Sequence, residues 1–297
     1  MKPRVLITGC SGEIGSRVTK LLLQSGFHVH GFHGSKQCLI NNSLHTCNSI
    51  DFLKEDAESL LSCLRPDVLI HTAWITKSGE FWNSPLNLKW VDASKKLISS
   101  FEKMGGKYIA VTGSCAEYSW HSLNPLSENT REDPENEYGK SKLELLNWLR
   151  SRNLEFLWTR TFFQYGLSEP KGRLIPSLID ALLEGNSFSI NNPLDARDFI
   201  FVEDVARILS ILIERNHHGI VNLGTGSGIN IGELGAKIGN LMKSDELVLL
   251  KNTSSPITKV VSDPTKLTKL IGHFEWTTLD QGLHDTISAR GSLNRRD

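Results

Sequence analysis

Three things are missing from this 297-residue chain: a net charge, a paired cysteine pattern and any long hydrophobic run. Each absence removes a class of function. Lysine plus arginine and aspartate plus glutamate number 33 each, so no field of one sign draws the chain onto nucleic acid or a membrane surface. A basic patch confined to a phosphate site is compatible with that balance. The five cysteines (Cys10, Cys38, Cys47, Cys63, Cys115) are odd in number and contain no C-x-x-C, which argues against a disulfide framework or a zinc site. The histidines, His217 and His218 included, lack metal-ligand spacing and read as surface residues, so no metal is expected. No apolar run reaches membrane-spanning length, and the first residues already read as strand with no signal peptide ahead of them. The expectation is a soluble protein of a reducing compartment, the cytoplasm.

What is present begins at once. Val5, Leu6 and Ile7 form the short apolar run of a strand covered on both faces, and Gly9, Gly12 and Gly15 follow it before a helix over Glu13 to Gln24. In such a turn the first glycine permits the bend and the second lets backbone N–H groups reach a pyrophosphate. The third allows close helix–strand packing, and the helix's positive end faces the anion. Gly9, Gly12, Glu13, Ile14 and Gly15 are therefore candidate dinucleotide ligands, and the length suffices for such a domain with a smaller partner.

The alternation continues. Phe27 to Phe32 reads as a second strand, whose end is where a carboxylate would accept the adenosine ribose hydroxyls and repel a 2′-phosphate. His33, Gly34, Ser35 and Lys36 stand there instead, so a hydroxyl and a cation without an acid suit NADP(H) better than NAD(H), unless the loop is merely polar. A weak third strand lies near His45 to Cys47, with Asp51 and Phe52 placed to meet adenine. A helix over Glu55 to Leu64 follows, then a fourth strand over Pro66 to His71. Small Ala73 suits close approach to the cofactor, whereas bulky Trp74 is expected to face the substrate or a lid. Trp74, Phe81 and Trp82 either line a pocket or belong to the core. A helix over Lys89 to Lys103 stops at Met104-Gly105-Gly106 and leads into a fifth strand from Tyr108. Such βα units give a Rossmann-type doubly wound parallel sheet with right-handed connections.

Two stretches carry chemistry. Thr112 to Tyr118 (TGSCAEY) follows the fifth strand, at the sheet's carboxyl edge where ligands of such folds bind. Tyr138-Gly139-Lys140-Ser141-Lys142 opens the next helix, with Tyr138 and Lys142 four apart on one face. A phenol with a pKa of about 10 carries protons poorly at neutral pH, and a neighbouring ammonium is expected to lower it. Tyr138 then acts as acid or base on a carbinol oxygen, Lys142 holds the nicotinamide ribose, and Ser114 hydrogen-bonds the reacting oxygen.

The chain resembles the extended short-chain dehydrogenase/reductases, specifically the NAD-dependent epimerase/dehydratase family acting on nucleotide sugars. TGCSGEIG, PDVLIHTAW, TGSCAEY, YGKSK, RTFFQYG, RLIPSLI, RDFIFVEDVA and VNLGTG occur in the family's order over nearly the whole chain. The resemblance implies the serine, tyrosine and lysine set at Ser114, Tyr138 and Lys142, and a C-terminal lobe binding a nucleoside diphosphate sugar. In that lobe Arg197, with Arg173 second, would approach the diphosphate. The alternative for Arg197 is a salt bridge with Asp195, Asp198 or Asp204. The resemblance also implies a homodimer through helices Lys89 to Lys103 and Glu137 to Arg150.

The departures narrow the reaction. Family 4,6-dehydratases carry an acid pair after the active-site hydroxyl, where Cys115 and Ala116 stand. The 3,5-epimerases place a cysteine where Ala116 is and a histidine where Arg173 is, so Cys115 reads as a small wall residue. In 4-epimerases an asparagine usually occupies the place of Phe163, a candidate substrate contact here. The expected function is an NADP(H)-dependent reductase of a nucleotide-linked keto-deoxysugar. A 4-epimerase with tightly held NAD and a non-catalytic NADP(H)-binding protein are the alternatives. The expected layout is a dinucleotide domain over residues 1–165, its sheet completed by about 196–225, and a smaller α/β substrate lobe over 166–195 and 226–297. In the lobe a short strand is expected over Phe188 to Ile190 and another over Leu247 to Leu250. Helices are expected over Ile231 to Met242 and from Asp280, and Ser292 to Asp297 as a frayed end.

Overall fold

A computed structural model describes residues 2–121, 124–251 and 254–293. In chain order the first half comprises β1 (Arg4–Thr8), α1 (Glu13–Gln24), β2 (His28–His33), β3 (His45–Ser49), α2 (Glu58–Leu64), β4 (Val68–His71), α3 (Leu86–Lys103), β5 (Tyr108–Ser114), α4 (Glu137–Arg150) and β6 (Glu155–Thr161). The second half comprises β7 (Phe163–Tyr165), α5 (Leu174–Leu183), β8 (Phe188–Asn191), β9 (Ala196–Phe201), α6 (Val202–Glu214), β10 (Gly219–Leu223), β11 (Gly228–Asn230), α7 (Ile231–Met242), β12 (Val248–Lys251), β13 (Lys259–Val260), α8 (Thr265–Ile271) and α9 (Leu279–Leu293).

The main sheet has seven parallel strands in the order β10-β6-β5-β4-β1-β2-β3. Strand order reverses beside β1, between β2 and β4. In open α/β sheets the ligand crevice lies outside the carboxyl ends of the strands at such a switch point. β1 shows why its apolar run is unbroken. Val5 and Ile7 pack with Val18 and Leu22 of α1 and with Val205 and Leu209 of α6. Leu6 faces the opposite layer with Ile98 and Phe101 of α3 and Leu145 and Leu149 of α4. A strand buried on both faces has no polar face to alternate with.

The second half builds a smaller sheet, with β9 between β11 and β13 and β7 also on β9, and a two-stranded pair of β8 and β12. Its core gathers Tyr165, Ile175, Ile179, Phe201, Leu234 and Ile238. Of the stretch expected to complete the main sheet, only β10 does so, beside β6. Residues 196–201 belong to the smaller sheet, because β9 pairs with β7, β11 and β13 and leaves no edge for the main one. α2 begins at Glu58 rather than Glu55, the preceding residues being held in a turn in which the N–H groups of Lys54 and Glu55 donate to the Asp51 carbonyl. Ser292 is helical rather than frayed, and residues 294–297 of the expected frayed end lie outside the described residues. Among the described residues, no helix is long and apolar enough to cross a membrane.

Candidate active site

The glycine turn closes on itself before it meets anything else. Gly9 has φ +71°, a conformation that a side chain disfavours, and a Cβ there would come within 2.8 Å of Thr72 Oγ1. A Cβ on Gly15 would sit 2.2 Å from the Gly9 carbonyl, so α1 reaches β1 only with hydrogen at that position. Gly12 is different: its N–H donates to the Gly9 carbonyl at 2.8 Å, and a Cβ there would meet that carbonyl oxygen at 3.1 Å and no other atom within 4 Å. The helix start is thus open on its outer side while N–H groups of the first turn, Glu13 and Ile14 among them, lack intrahelical partners. That cradle fits a dinucleotide pyrophosphate.

Around it, Ala73 is half-buried and its N–H donates to Thr8 Oγ1 at 3.3 Å. At the end of β2 the His33 ring donates from Nδ1 to the Gly34 carbonyl at 2.8 Å, and Ser35 and Lys36 are exposed. Asp51 pairs with Lys54 at 2.9 Å, while Phe52 is half-buried against Phe32 and Trp90.

Ser114, Tyr138 and Lys142 converge at the carboxyl end of β5. Ser114 ends the strand, and its Oγ accepts from the Ala116 N–H at 3.1 Å, so the hydroxyl proton can be donated elsewhere. Asn136 caps α4, accepting from the Gly139 N–H at 2.8 Å. A Cβ at Gly139 would lie 2.1 Å from the Ala116 carbonyl, so this glycine lets the start of α4 press against the turn after Ser114. Tyr138, one residue inside the helix, is thereby carried to the Ser114 hydroxyl, which hydrogen-bonds its phenol.

The electrostatics differ from the sequence expectation. Burial pushes the Tyr138 phenol up to about 12, with Arg173 and the Ser114 hydroxyl opposing it. Lys142 Nζ lies 5.8 Å from the Tyr138 ring centroid, but it donates to the Thr112 carbonyl at 2.9 Å and lies closer to Trp74, 3.7 Å from that ring centroid. Burial instead brings Lys142 itself down to about 7, with Glu117 opposing. His71, between Thr8 Oγ1 and Ser94 Oγ at 2.8 Å each, is lowered to about 3 by burial and by Lys142, and stays neutral.

Trp74 does not face a cleft or a lid. It is 8% exposed, donates from Nε1 to Asn87 Oδ1 at 2.9 Å and stacks on Trp90, so it forms the floor beneath Lys142. The aromatic residues beside the phenol are Phe81 and Trp82, edge-on to Tyr138 with centroids at 5.1 and 5.8 Å. The row continues through Trp120, Phe163 and Phe199. Two arginines lie against it. Arg173 lies over Phe81, and Arg197 over both Trp120 and Phe163. Arg197 also pairs with Asp195 at 2.9 Å and donates to Thr258.

Behind Ser114 is a fully buried ion pair. Glu117 accepts from Arg160 Nε at 2.6 Å, from Trp158 Nε1 and from the Ser114 N–H at 2.8 Å. Arg160 also reaches Glu132 and Tyr118. Burial pushes the Glu117 carboxyl up and Arg160 holds it down. With every contact donating to it, the acceptor-only carboxylate is the state this site is built for. Sequence reasoning assigns no role to Glu117, His71 or Trp120, although Glu117 and His71 stand inside motifs already singled out.

A doubly wound sheet with a glycine turn and a serine, tyrosine and lysine set at its carboxyl edge defines an oxidoreductase-type enzyme of the short-chain dehydrogenase/reductase class. A model of the NAD dependent epimerase/dehydratase family matches residues 5–224. The chain belongs to that family. It is 28% identical over 276 residues to UDP-glucose 4-epimerase 3 of Oryza sativa subsp. japonica, covering 77% of this chain and 74% of the relative. It is 24% identical over 234 residues to a dTDP-6-deoxy-L-talose 4-dehydrogenase (NAD(+)) of Aggregatibacter actinomycetemcomitans, covering 75% and 84%. In fold it is similar to a UDP-N-acetylglucosamine 4-epimerase of Methanobrevibacter ruminantium solved with UDP-N-acetylmuramic acid. That likeness has TM-score 0.86 and 24% identity over 99% of this chain and 100% of the other.

Proposed function

We propose that this chain reduces the keto group of a nucleoside-diphosphate-linked deoxysugar with NADP(H). The carrying observation is the meeting of Ser114 and Tyr138 beside Lys142, with no free acid next to them among the described residues. Cys115 and Ala116 are both buried where a dehydratase needs its acid pair, and the neighbouring carboxylate, Glu117, is committed to Arg160. The glycine turn with Glu13 and Ile14 would hold the pyrophosphate, Asp51 and Phe52 the adenosine end, Ala73 the close approach, and Tyr138 and Lys142 the nicotinamide ribose. When bound, the dinucleotide supplies the hydride. The chain's own part is the proton and the polarisation. A phenol held at about 12 is protonated throughout the neutral range and is a donor rather than a base, which is what the reductive direction needs. Ser114 would turn its hydroxyl proton from the Tyr138 phenol to the carbonyl oxygen of the substrate.

The row Phe81, Trp82, Trp120 and Phe163 offers apolar faces to the C–H faces and methyl group of a deoxysugar, and Arg173 and Arg197 supply charge for its diphosphate. The absence of a carboxylate in residues 33–36 supports a 2′-phosphate. A homodimer through α3 and α4 belongs to the same proposal. A second reading, a 4-epimerase with tightly held NAD, is favoured by the 4-epimerases among the relatives. Phe163 in the asparagine's place weighs against it. Protein purified without added cofactor, denatured, and assayed by mass spectrometry for released dinucleotide separates the two. The reductase should release little, or NADP(H), and prefer NADPH when titrated. Near-stoichiometric NAD would overturn the proposal in favour of the epimerase.

A further inference from the structure

The Lys142 ammonium is enclosed without a counter-ion. Lys142 is 2% exposed, so its N–H donors must find partners inside the protein. Among the described residues, Nζ donates to a single acceptor, the Thr112 carbonyl of β5 at 2.9 Å, and no carboxylate is in contact with it. Glu117, in the turn after β5, is bound to Arg160 of β6. His71 of β4 faces the ammonium, but its ring nitrogens are taken by Thr8 Oγ1 and Ser94 Oγ. The Tyr138 ring, one turn earlier on α4, has its centroid 5.8 Å away.

What covers the ammonium is an indole face. Nζ stands 3.7 Å from the Trp74 ring centroid, well inside the distance of about 6 Å at which the negative face of a ring attracts a cation. The plane of that ring is fixed from α3. Nε1 donates to Asn87 Oδ1 at 2.9 Å, and the ring stacks on Trp90 with centroids 6.2 Å apart. Asn87 is itself fully buried and tied by its amide to the Phe81 carbonyl at 2.7 Å and the Ser84 carbonyl at 3.0 Å. Trp74 therefore cannot turn its edge to Lys142 without breaking these contacts. Burial works against an ammonium, and the attraction of an aromatic face is strongest where water is excluded.

Resting on the reading of Lys142 as a dinucleotide residue, we propose that Trp74 is a positioning residue for it, whose indole face keeps the buried side chain in the ammonium form that donates to the nicotinamide ribose. With Nζ held between the ring and the Thr112 carbonyl, its remaining protons serve the ribose hydroxyls. Glu117 favours the ammonium as well, while paired to Arg160, and burial opposes both. An aliphatic side chain at position 74 removes the ring from that balance. Lys142 then loses its proton at lower pH, and dinucleotide binding weakens in the neutral range.

The test reads Lys142 directly, through the nitrogen-15 signal of its Nζ, assigned by its absence in Lys142→Met. The signal is titrated in the full chain, in Trp74→Leu, and with mono- and difluorinated tryptophan placed at position 74. Fluorine drains the negative face of the ring with little change in its size, so these two proteins test the ring even if Trp74→Leu does not fold. The midpoint, about 7 in the wild type, should fall by about one unit in Trp74→Leu and stepwise with each fluorine. The Kd of NADPH, by titration calorimetry on the same proteins, should agree within about twofold at pH 5.5, where Lys142 is charged in all of them. At pH 8 it should be weaker in Trp74→Leu by up to about tenfold. A merely structural defect would weaken binding equally at both. Equal midpoints in all the proteins would overturn the role of Trp74 and leave that of Lys142 intact. Shifted midpoints with no pH-dependent gap in Kd would overturn the dinucleotide role of Lys142 on which the proposal rests.

Discussion

Tyr138→Phe should lower kcat by about 100- to 10,000-fold while leaving the Kd for dinucleotide within a few-fold of the wild type. The phenyl ring keeps the edge-on contacts with Phe81 and Trp82, so packing is preserved and only the hydroxyl is lost. That hydroxyl is the proton source nearest Ser114, and neither neighbour replaces it. Burial pushes the Cys115 thiol up to about 12, and Glu117 is locked to Arg160 as an acceptor. Steady-state kinetics with a calorimetric Kd checks this. A variant with more than a tenth of wild-type turnover would mean that the proton comes from elsewhere.

The second large effect falls on stability. Glu117→Ala should lower the free energy of unfolding by about 3–5 kcal/mol, because it leaves the buried Arg160 guanidinium without its closest counter-charge. Both side chains are fully buried, so water cannot substitute. Glu132 touches the same guanidinium from a more exposed position, which places the expectation at the lower end of that range. Glu117→Gln keeps an acceptor for Trp158 Nε1 and the Ser114 N–H and should lose less. Denaturant unfolding of the three proteins reads the difference directly, and a loss below about 1 kcal/mol for the alanine variant would show that Glu132 alone neutralises Arg160.

Much of this was legible before the structure. Unbroken apolar runs such as Val5 to Ile7 report strands covered on both faces. Helical spacing placed α1 over Glu13–Gln24 and α7 over Ile231–Met242, with the bounds the structure gives. Ser114, Tyr138 and Lys142 were legible as a set because each stands at a fixed place relative to a strand end or helix start. What was not legible depends on distant partners. β9 belongs to the smaller sheet only because β7, β11 and β13 come to it, and strands of two to six residues carry no periodic signal of their pairing. α8, seven residues long, is likewise too short to carry a clear periodic signal. Trp74 turned inward because Asn87 on the next helix takes its indole N–H, a contact no local pattern announces. The charge states failed for the same reason. Spacing places Lys142 on the face of Tyr138, but enclosure by aromatic side chains and the Thr112 carbonyl decides which group shifts and in which direction.

The central claim is net hydride delivery to a keto sugar on a nucleotide. Incubation with nucleoside-diphosphate 4-keto-6-deoxyhexoses and NADPH deuterated at the transferring carbon, followed by mass spectrometry of the sugar nucleotide, tests it most directly. The account predicts a product carrying one deuterium, formed in step with NADPH consumption and nearly lost in Tyr138→Phe. Interconversion of epimeric nucleotide sugars with no deuterium gained and no NADPH consumed would contradict it.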